Sequence, residues 1–386
     1  MSLENKFISR IDYGQLFIVL LLCSVSFLAI YSAEQDSAYV GSGFIMKQIF
    51  YYVSGLAIAF VVMQFDYKQL SKVVWYLYGL GVAMCAAVLF VGHSVNGATR
   101  WIKIKGFVIQ PAEFMKVLLI MALAYVAHRH NKQYEVRSIK TDLLLIGKLV
   151  AVTLLPIVFV IKEDLGTSII ILSILAVILF VSGITWRLLV PMCTVAVIGI
   201  AGLLYLVFEK PQILKDYLGV EPFRLERLYS WQDPYASSSN TGYQLTKSLQ
   251  AIGSGEATGK GLGEREVFLP EAHSDFIFSV IGEEYGFVGG SIVIVLFFML
   301  IFIWIKIALE TKLDFNSYLC TGIIGMFTFQ VFQNIGMTIG LMPITGIPLP
   351  FLSYGGSSLW ASMMALGLIF SVRYHHKVYL FSTSNE

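Results

Sequence analysis

Charged residues are scarce in this chain of 386 residues. Asp, Glu, Lys and Arg together make up 13% of it, hydrophobic residues make up 57%, and the mean hydropathy is +0.74. No soluble domain of this size could bury so much apolar surface in a single core. The composition therefore excludes a soluble globular protein and indicates an integral membrane protein.

Cysteine and net charge are limited as well. The net charge is only +2, and no basic stretch is interleaved with aromatic residues, which argues against nucleic acid as a partner. All four cysteines lie inside apolar runs, without the spacing of metal ligands. We therefore expect buried thiols with neither disulfides nor a structural metal. The cysteines are Cys23, Cys85, Cys193 and Cys320.

Long apolar segments recur along the chain. A membrane-spanning helix needs roughly 20 residues, and somewhat shorter apolar cores are tolerated. Ten candidate spans result, the first of which we expect to be an uncleaved helix rather than a signal peptide. They are Leu16–Tyr31, Ile49–Phe65, Val73–Val91, Pro111–Ala127, Leu143–Ile161, Thr167–Val181, Leu188–Phe208, Phe287–Ala308, Tyr318–Leu341 and Leu359–Val372. The predicted fold class is an all-α integral membrane protein, one polytopic domain over residues 1–386.

Positive charge is distributed unevenly between the two sets of predicted loops. An even number of spans places both termini on one side, and most Lys and Arg residues of the short loops lie on that side, so the termini are predicted to be cytoplasmic. The opposite short loops hold Lys47, Arg100, Lys103, Lys105 and Lys162. The long polar segment 209–275, between spans 7 and 8, is then a large extracytoplasmic loop.

The outward segment 97–106 alternates cations with apolar residues, as a segment in the lipid interface would. Two interpretations remain open for Arg100 and Lys103. They could anchor the segment at the headgroups, or they could bind a lipid pyrophosphate, which is a dense anionic target. Trp101 would lie beside the headgroups in either case.

Three further sets of ionisable residues lie on the same predicted side. Glu113 and Lys116 are three residues apart at the start of the fourth span, so they share one helical face and can pair. Asp164 lies in a tight turn between the fifth and sixth spans. Asp275 ends the large loop, and a lone carboxylate delivered to the edge of a bilayer suggests chemistry at the membrane surface.

Several of these segments together carry a resemblance to a known family. They are residues 100–102, 110–116, 164–167, 242–244, 251–255, 269–278 and 334–358. In this combination and order the chain resembles the SEDS family of bacterial peptidoglycan glycosyltransferases along essentially its whole length. Residues 342–351 are most similar to the RodA branch, whose members act in cell elongation and cell shape.

The resemblance implies that the chain polymerises lipid II into glycan strands in the bacterial cell membrane. Asp275 would be the catalytic base for the attacking hydroxyl, and Glu113 would hold Lys116 charged and oriented. Substrate binding is assigned to Arg100, Trp101, Lys103, Glu113, Lys116 and Asp164. The resemblance implies a class B penicillin-binding protein, a transpeptidase, as a partner, together with other elongation or division proteins. No cofactor is expected, although a divalent cation at the pyrophosphate would be compatible with the chemistry.

Two other classes and two other branches remain as alternatives. A lipid II flippase would also need many helices, a polar cavity and buried Glu113 and Lys116, but no inverted repeat is evident. A non-catalytic scaffold would not explain Asp275 and its loop. Within the family, the FtsW and SpoVE branches act in division and sporulation, and either would fit residues 269–276.

Overall fold

The computed structural model describes residues 12–35, 39–95, 98–104, 107–213, 222–235 and 240–379. Lys105 of the predicted interfacial segment lies outside the described residues. The helices are α1 (Tyr13–Glu34), α2 (Phe44–Met63), α3 (Tyr67–Val91), α4 (Pro111–Gln133), α5 (Ile139–Val160), α6 (Leu165–Val181), α7 (Trp186–Glu209), α8 (Pro222–Gln232), α9 (Asn240–Ser254), α10 (Ile277–Glu310), α11 (Asp314–Thr338) and α12 (Gly356–Tyr379). The strands are β1 (His93–Val95), β2 (Ala98–Ile104) and β3 (Phe107–Ile109).

Each of the ten predicted spans falls on one of the long helices α1–α7 and α10–α12, with ends that differ by up to ten residues, the largest difference being at the start of α10. By length and composition alone, seven of the described helices are apolar and long enough to cross a membrane. Helix α6 is apolar but shorter, and α11 and α12 are more polar. The predicted helical membrane fold is confirmed, and its count of ten spans is approximate.

Side-chain caps explain where several helices begin. Asp66 accepts from the backbone N–H of Gln69, and Ser138 accepts from that of Thr141, each in a reciprocal capping box. Asp164 caps α6, and Pro111 occupies the first position of α4, where its missing N–H costs no hydrogen bond.

Helix α4 lies at the centre of the bundle, and α7 lies at its edge. Helix α4 packs against α3, α5, α6, α11 and α12. Of the residues in its most apolar 18-residue stretch, 78% are buried inside the protein. For α7 the same share is 6%, and only Leu189 and Val207 are buried. Cys193 on α7 is consequently exposed, so the prediction of a buried thiol was wrong there. Cys85 and Cys320 are buried, Cys23 is half-buried, and all four are free.

The predicted interfacial segment forms the centre of a small sheet. Strand β2 pairs with β1 and β3, both antiparallel, in the order β1-β2-β3. Ile102 lies opposite Ile109, and Lys103 lies opposite Val108. Arg100 and Lys103, three residues apart on this strand, therefore lie on opposite faces of it. The all-α prediction missed this sheet, since its strands have three to seven residues.

The chain between α9 and α10 wraps around the beginning of α10. Gly286 interrupts α10 with a φ of 60°, and beyond it the N–H groups of Phe287 and Val288 donate to the carbonyls of Glu256 and Ala257 at 2.9 and 3.1 Å. Only glycine fits the closest approach, because a Cβ on Gly255 would lie 1.9 Å from the carbonyl oxygen of Gly282. The segment that leads to Asp275 is thereby docked on α10.

The docking predicts opposite effects for two neighbouring glycines. Gly255→Ala should lower the free energy of unfolding by at least about 1–3 kcal/mol, since backbone must shift to admit the methyl group. Gly253→Ala is the matched control, because a Cβ at Gly253 meets nothing within 4 Å and alanine should favour the helix by roughly 0.5–1 kcal/mol. Thermal unfolding of the detergent-solubilised protein measures both. A Gly255→Ala variant as stable as Gly253→Ala would contradict the docking.

Candidate active site

A cavity of about 750 Å³ opens at one end of the bundle. It is lined by the first turns of α2, α4 and α6, by β2 and β3, by the irregular segment 271–275, and by the wall 346–358, which is irregular up to Gly355 and ends in the first turn of α12. Pro348 and Pro350 interrupt regular structure in this wall. Irregular backbone at membrane depth is tolerated where it lines such a cavity.

Four helix N-termini, those of α2, α4, α6 and α12, therefore converge on the cavity. The N-terminus of a helix carries unpaired N–H groups and a partial positive charge, which favour anions. Arg100 and Lys47 add two full positive charges to the lining. The cavity thus combines features suited to a phosphate-bearing ligand.

Asp275 lines the cavity just before α10 begins. Burial raises the pKa of its carboxyl group to about 6, since desolvation disfavours the charged form. The nearby charges of Arg100 and Arg227 act to lower this pKa, and those of Glu271 and Asp164 act to raise it. A carboxyl group that titrates near neutral pH is well matched to taking a proton from a hydroxyl.

The backbone around Asp275 is held by neighbouring elements. Asn334 on α11 donates from Nδ2 to the carbonyl of Asp275 at 2.8 Å and to that of Ile347 at 2.7 Å. The hydroxyl of Ser353 donates to the carbonyl of Ser274 at 2.7 Å. These bonds tie the 271–275 loop to α11 and to the 346–358 wall, and so fix the carboxyl group.

Asp164 organises the opposite wall of the cavity. Its Oδ2 accepts from Gln110 Nε2 at 2.7 Å and from the Thr167 hydroxyl at 2.9 Å, and it lies 3.4 Å from Arg100 NH1. The guanidinium of Arg100 also lies 4.5 Å from the ring centroid of Trp101. Asp164 is thus occupied by protein groups, and it orients the cation and the amide that face the cavity.

The neighbouring carboxylate fixes the sheet to the bundle. Glu163 accepts from the backbone N–H of Thr99 at 3.0 Å, so β2 is anchored at the start of α6. Arg100 and Trp101 line the cavity, whereas Lys103 is exposed and is not among the lining residues. The structure therefore brings two of the three predicted β2 residues to the site.

The predicted contact between Glu113 and Lys116 is present. Lys116 Nζ lies 2.9 Å from Glu113 Oε2, and the two residues are 1% and 3% exposed. Glu113 lines the cavity and Lys116 does not. Glu113 therefore faces the cavity, with Lys116 paired to it from outside the lining.

Sequence reasoning missed several residues of the site. Lys47 was counted only for topology, although a cation at a helix start on the predicted outward side was a usable signal. Asn334 lies inside a motif that carries the resemblance, without an assigned role, and it donates to the backbone carbonyl of Asp275. Gln110 and Glu271 lay inside quoted motifs without an assigned role.

Within the part of the chain that the structure describes, no three His, Cys, Asp or Glu side chains are grouped as ligands of one ion would be. The cavity carboxylates Glu113 and Asp164 are paired with protein cations instead.

These features define a class: a polytopic membrane protein whose cavity sets one carboxyl group of raised pKa among cations and helix N-termini. The chain belongs to the cell cycle protein family of FtsW, RodA and SpoVE, whose model matches residues 14–378. This match confirms the family that the resemblance implied, and relatives named as peptidoglycan glycosyltransferases confirm the enzyme class.

Relatives from two branches match over nearly the whole chain. A probable peptidoglycan glycosyltransferase FtsW of Geobacter metallireducens is 33% identical over 385 residues, covering 96% of each chain. Stage V sporulation protein E of Bacillus subtilis is 33% identical over 375 residues, covering 94% of this chain and 96% of the relative.

Solved structures share the fold. A chain from a structure titled "Structural coordination of polymerization and crosslinking by a peptidoglycan synthase complex" matches with a TM-score of 0.74 and 30% identity, covering 95% of this chain and 98% of that one. The rod shape determining protein RodA of Thermus thermophilus matches with a TM-score of 0.67 and 28% identity, covering 95% and 97%. The chain is a multi-pass membrane protein of this fold.

The buried pair predicts strong coupling between its two charges. Glu113→Gln or Lys116→Met alone should lower the free energy of unfolding by roughly 3–5 kcal/mol, because each leaves an uncompensated buried charge. The double variant should lose less than the sum of the two. The free energies of unfolding of the wild type, the two single variants and the double variant, measured in one detergent, complete the double-mutant cycle. Strict additivity would contradict a stabilising pair.

Proposed function

We propose that this protein polymerises lipid II, a disaccharide-pentapeptide on an undecaprenyl pyrophosphate, into peptidoglycan strands. The reaction joins the 4-hydroxyl of one sugar to the anomeric carbon of another and releases the lipid pyrophosphate. Asp275 takes the hydroxyl proton as general base. The observation that carries the proposal is one cavity holding both a carboxyl group of pKa about 6 and an anion-binding wall.

The leaving group is bound by the wall opposite the base. Arg100, oriented by Asp164 and Trp101, stabilises the charge that develops on the pyrophosphate as the glycosidic carbon is attacked. Lys47 and the helix N-termini add to the same field. Glu113, held by Lys116, faces the substrate as a hydrogen-bond acceptor for sugar or peptide groups. Lys103 lies outside the cavity lining, and we assign its exposed ammonium to contact with lipid headgroups.

The polymerase class is favoured over a transporter by the arrangement of Asp275. A flippase needs a polar path across the bilayer, whereas the cavity gathers its carboxyl group, cations and loops at one end of the bundle. The orientation that we propose places this end outside the cell, with both termini cytoplasmic. A divalent cation bound by the substrate pyrophosphate would be compatible with this site.

The cellular role is proposed in two versions. Residues 342–351 favour the RodA role in elongation, and the similarity to RodA structures supports it. Relatives that are named FtsW and stage V sporulation protein E support a division or sporulation role equally well. Rescue of strains depleted of one or the other enzyme separates these roles.

A transpeptidase is the proposed partner. The solved structure that matches with a TM-score of 0.74 comes from a peptidoglycan synthase complex, which coordinates polymerization and crosslinking. We propose that this chain likewise works beside a class B penicillin-binding protein, which cross-links the strands that it makes.

The first functional prediction concerns Asp275. Purified wild-type protein in detergent should convert lipid II to polymer, and Asp275→Asn should lower the rate by about 100- to 10,000-fold, because the amide keeps the shape and removes the base. Glu264→Gln, on the exposed part of the same loop, is the control and should be active. Gel analysis of glycan chain length is the readout. Polymer at the wild-type rate from Asp275→Asn would remove the base from the mechanism, and absence of any polymer from the wild type would favour the flippase.

The second functional prediction concerns pH. Because only the ionised carboxylate accepts the proton, kcat/KM should fall about tenfold for each pH unit below about 6. Glu271→Gln should move this acidic limb to lower pH, since the Glu271 charge raises the pKa of Asp275. Glu264→Gln again serves as the control. A limb that stays in place in Glu271→Gln would show that another group titrates.

A further inference from the structure

His273 lies two residues before Asp275, and the mechanism above does not use it. It is 7% exposed, and burial lowers the pKa of its imidazole, so the ring is neutral near pH 7. Within the described residues its Nδ1 is buried without a hydrogen-bond partner. The ring therefore contributes mainly through its faces and edges.

Three aromatic rings from two other elements surround the imidazole. It stacks on Phe44, with centroids 4.2 Å apart and planes 17° apart. Tyr39 meets it edge-on at 4.9 Å, and Tyr354 lies at 5.6 Å. Phe44 begins α2 and Tyr39 precedes it in the same connection, whereas Tyr354 belongs to the 346–358 wall. Such aromatic pairs are favourable beyond their buried area.

Hydrogen bonds join the 271–275 loop to the same two elements. The N–H of Tyr354 donates to the carbonyl of His273 at 2.9 Å, and the N–H of Glu271 donates to the hydroxyl of Tyr39 at 3.2 Å. The start of α2 is itself fixed to α1, since Glu34 accepts from the N–H groups of Gly43 and Ile45 at 2.7 and 3.0 Å. The imidazole thus lies between two anchored elements.

The loop that carries His273 is held in an unfavourable conformation. Glu271 has a φ of 57°, in the left-handed region that residues with a side chain rarely adopt. Strain of this kind persists where surrounding contacts over-determine the backbone, and it is found at functional sites. The contacts of the imidazole are among those that oppose relaxation of the loop.

We propose that His273 is a positioning residue, whose neutral aromatic ring locks the 271–275 loop between the start of α2 and the 346–358 wall and so sets the place of the Asp275 carboxylate. This inference rests on the proposed role of Asp275 as base. The ring acts by packing, so a phenyl ring should replace it and an amide should not.

The test compares His273→Phe, His273→Gln and His273→Ala with the wild type in lipid II polymerisation. His273→Ala and His273→Gln should lower kcat by about 100-fold with little change in KM, because a displaced base costs rate rather than binding. His273→Phe should keep a kcat close to that of the wild type. Phe44→Ala should reproduce the loss, and combined with His273→Ala it should add little, since both remove one contact.

The pH profile separates positioning from a general loss of folded protein. In His273→Ala the freed Asp275 carboxyl becomes hydrated, so the acidic limb should move to lower pH, whereas a smaller folded fraction would leave it in place. The charges facing Asp275 are Arg100, Arg227, Glu271 and Asp164, and Glu271 Oε2 also lies 3.8 Å from His273 Nε2. All of these residues are retained in every variant.

Hydrogen exchange supplies a readout that does not depend on activity. Amides of residues 39–45 and 271–276 should exchange faster in His273→Ala than in His273→Phe. The proposal is overturned if His273→Gln polymerises normally while His273→Phe does not, since the ring nitrogens would then be responsible. It is also overturned if His273→Ala has the wild-type kcat while Asp275→Asn is inactive. If Asp275→Asn is active, the proposed role of Asp275 as base is refuted. Unchanged hydrogen exchange in His273→Ala would then refute the positioning role of His273 as well.

Discussion

Compensation of buried charge is the constraint on which this structure depends. An ionised group in a low-dielectric site is stable only with a partner, and the carboxylates of Glu113, Asp164 and Glu283 each have one. Each pair also joins or shapes an element that reaches the cavity. Asp275 differs, because the effect of burial on it exceeds that of the nearby cations and leaves its pKa at about 6. The carboxyl group that we propose as the base is thus one whose charged form is opposed by burial.

A second group of carboxylates contacts the segment that enters the 271–275 loop. Glu283 accepts at 2.9 and 3.1 Å from the N–H groups of Glu266 and Val267, and it pairs with Lys260 at 3.0 Å. Glu284 accepts from the N–H of Gly263 at 3.0 Å and from the hydroxyl of Ser32. The segment entering the 271–275 loop is therefore bound to α10 and α1 before it reaches the cavity. These contacts hold the segment before the loop, and within the loop the ring of His273 stacks on Phe44.

The cavity is assembled from places where helices begin. Helices that start at one end of the bundle direct their N–H groups there, so the architecture supplies positive potential before any side chain is considered. Arg100 adds to this field from a strand, whose pairing restricts it more than an interfacial coil would. The combination suits a pyrophosphate that must be bound while its charge increases.

The sequence by itself determined the membrane class, the approximate positions of the long helices and the contact of Glu113 with Lys116, because hydropathy and helical spacing are local properties. Its motifs also pointed to Asp275, Arg100 and Asp164. It did not predict the sheet at β2, since strands of three to seven residues leave little periodic signal. Only the tertiary structure decided that Glu113 and Lys47 line the cavity whereas Lys116 and Lys103 do not. It also decided that Asn334 holds the Asp275 backbone and that His273 packs on Phe44. Those facts depend on contacts between residues far apart in the chain, which spacing along one segment cannot encode.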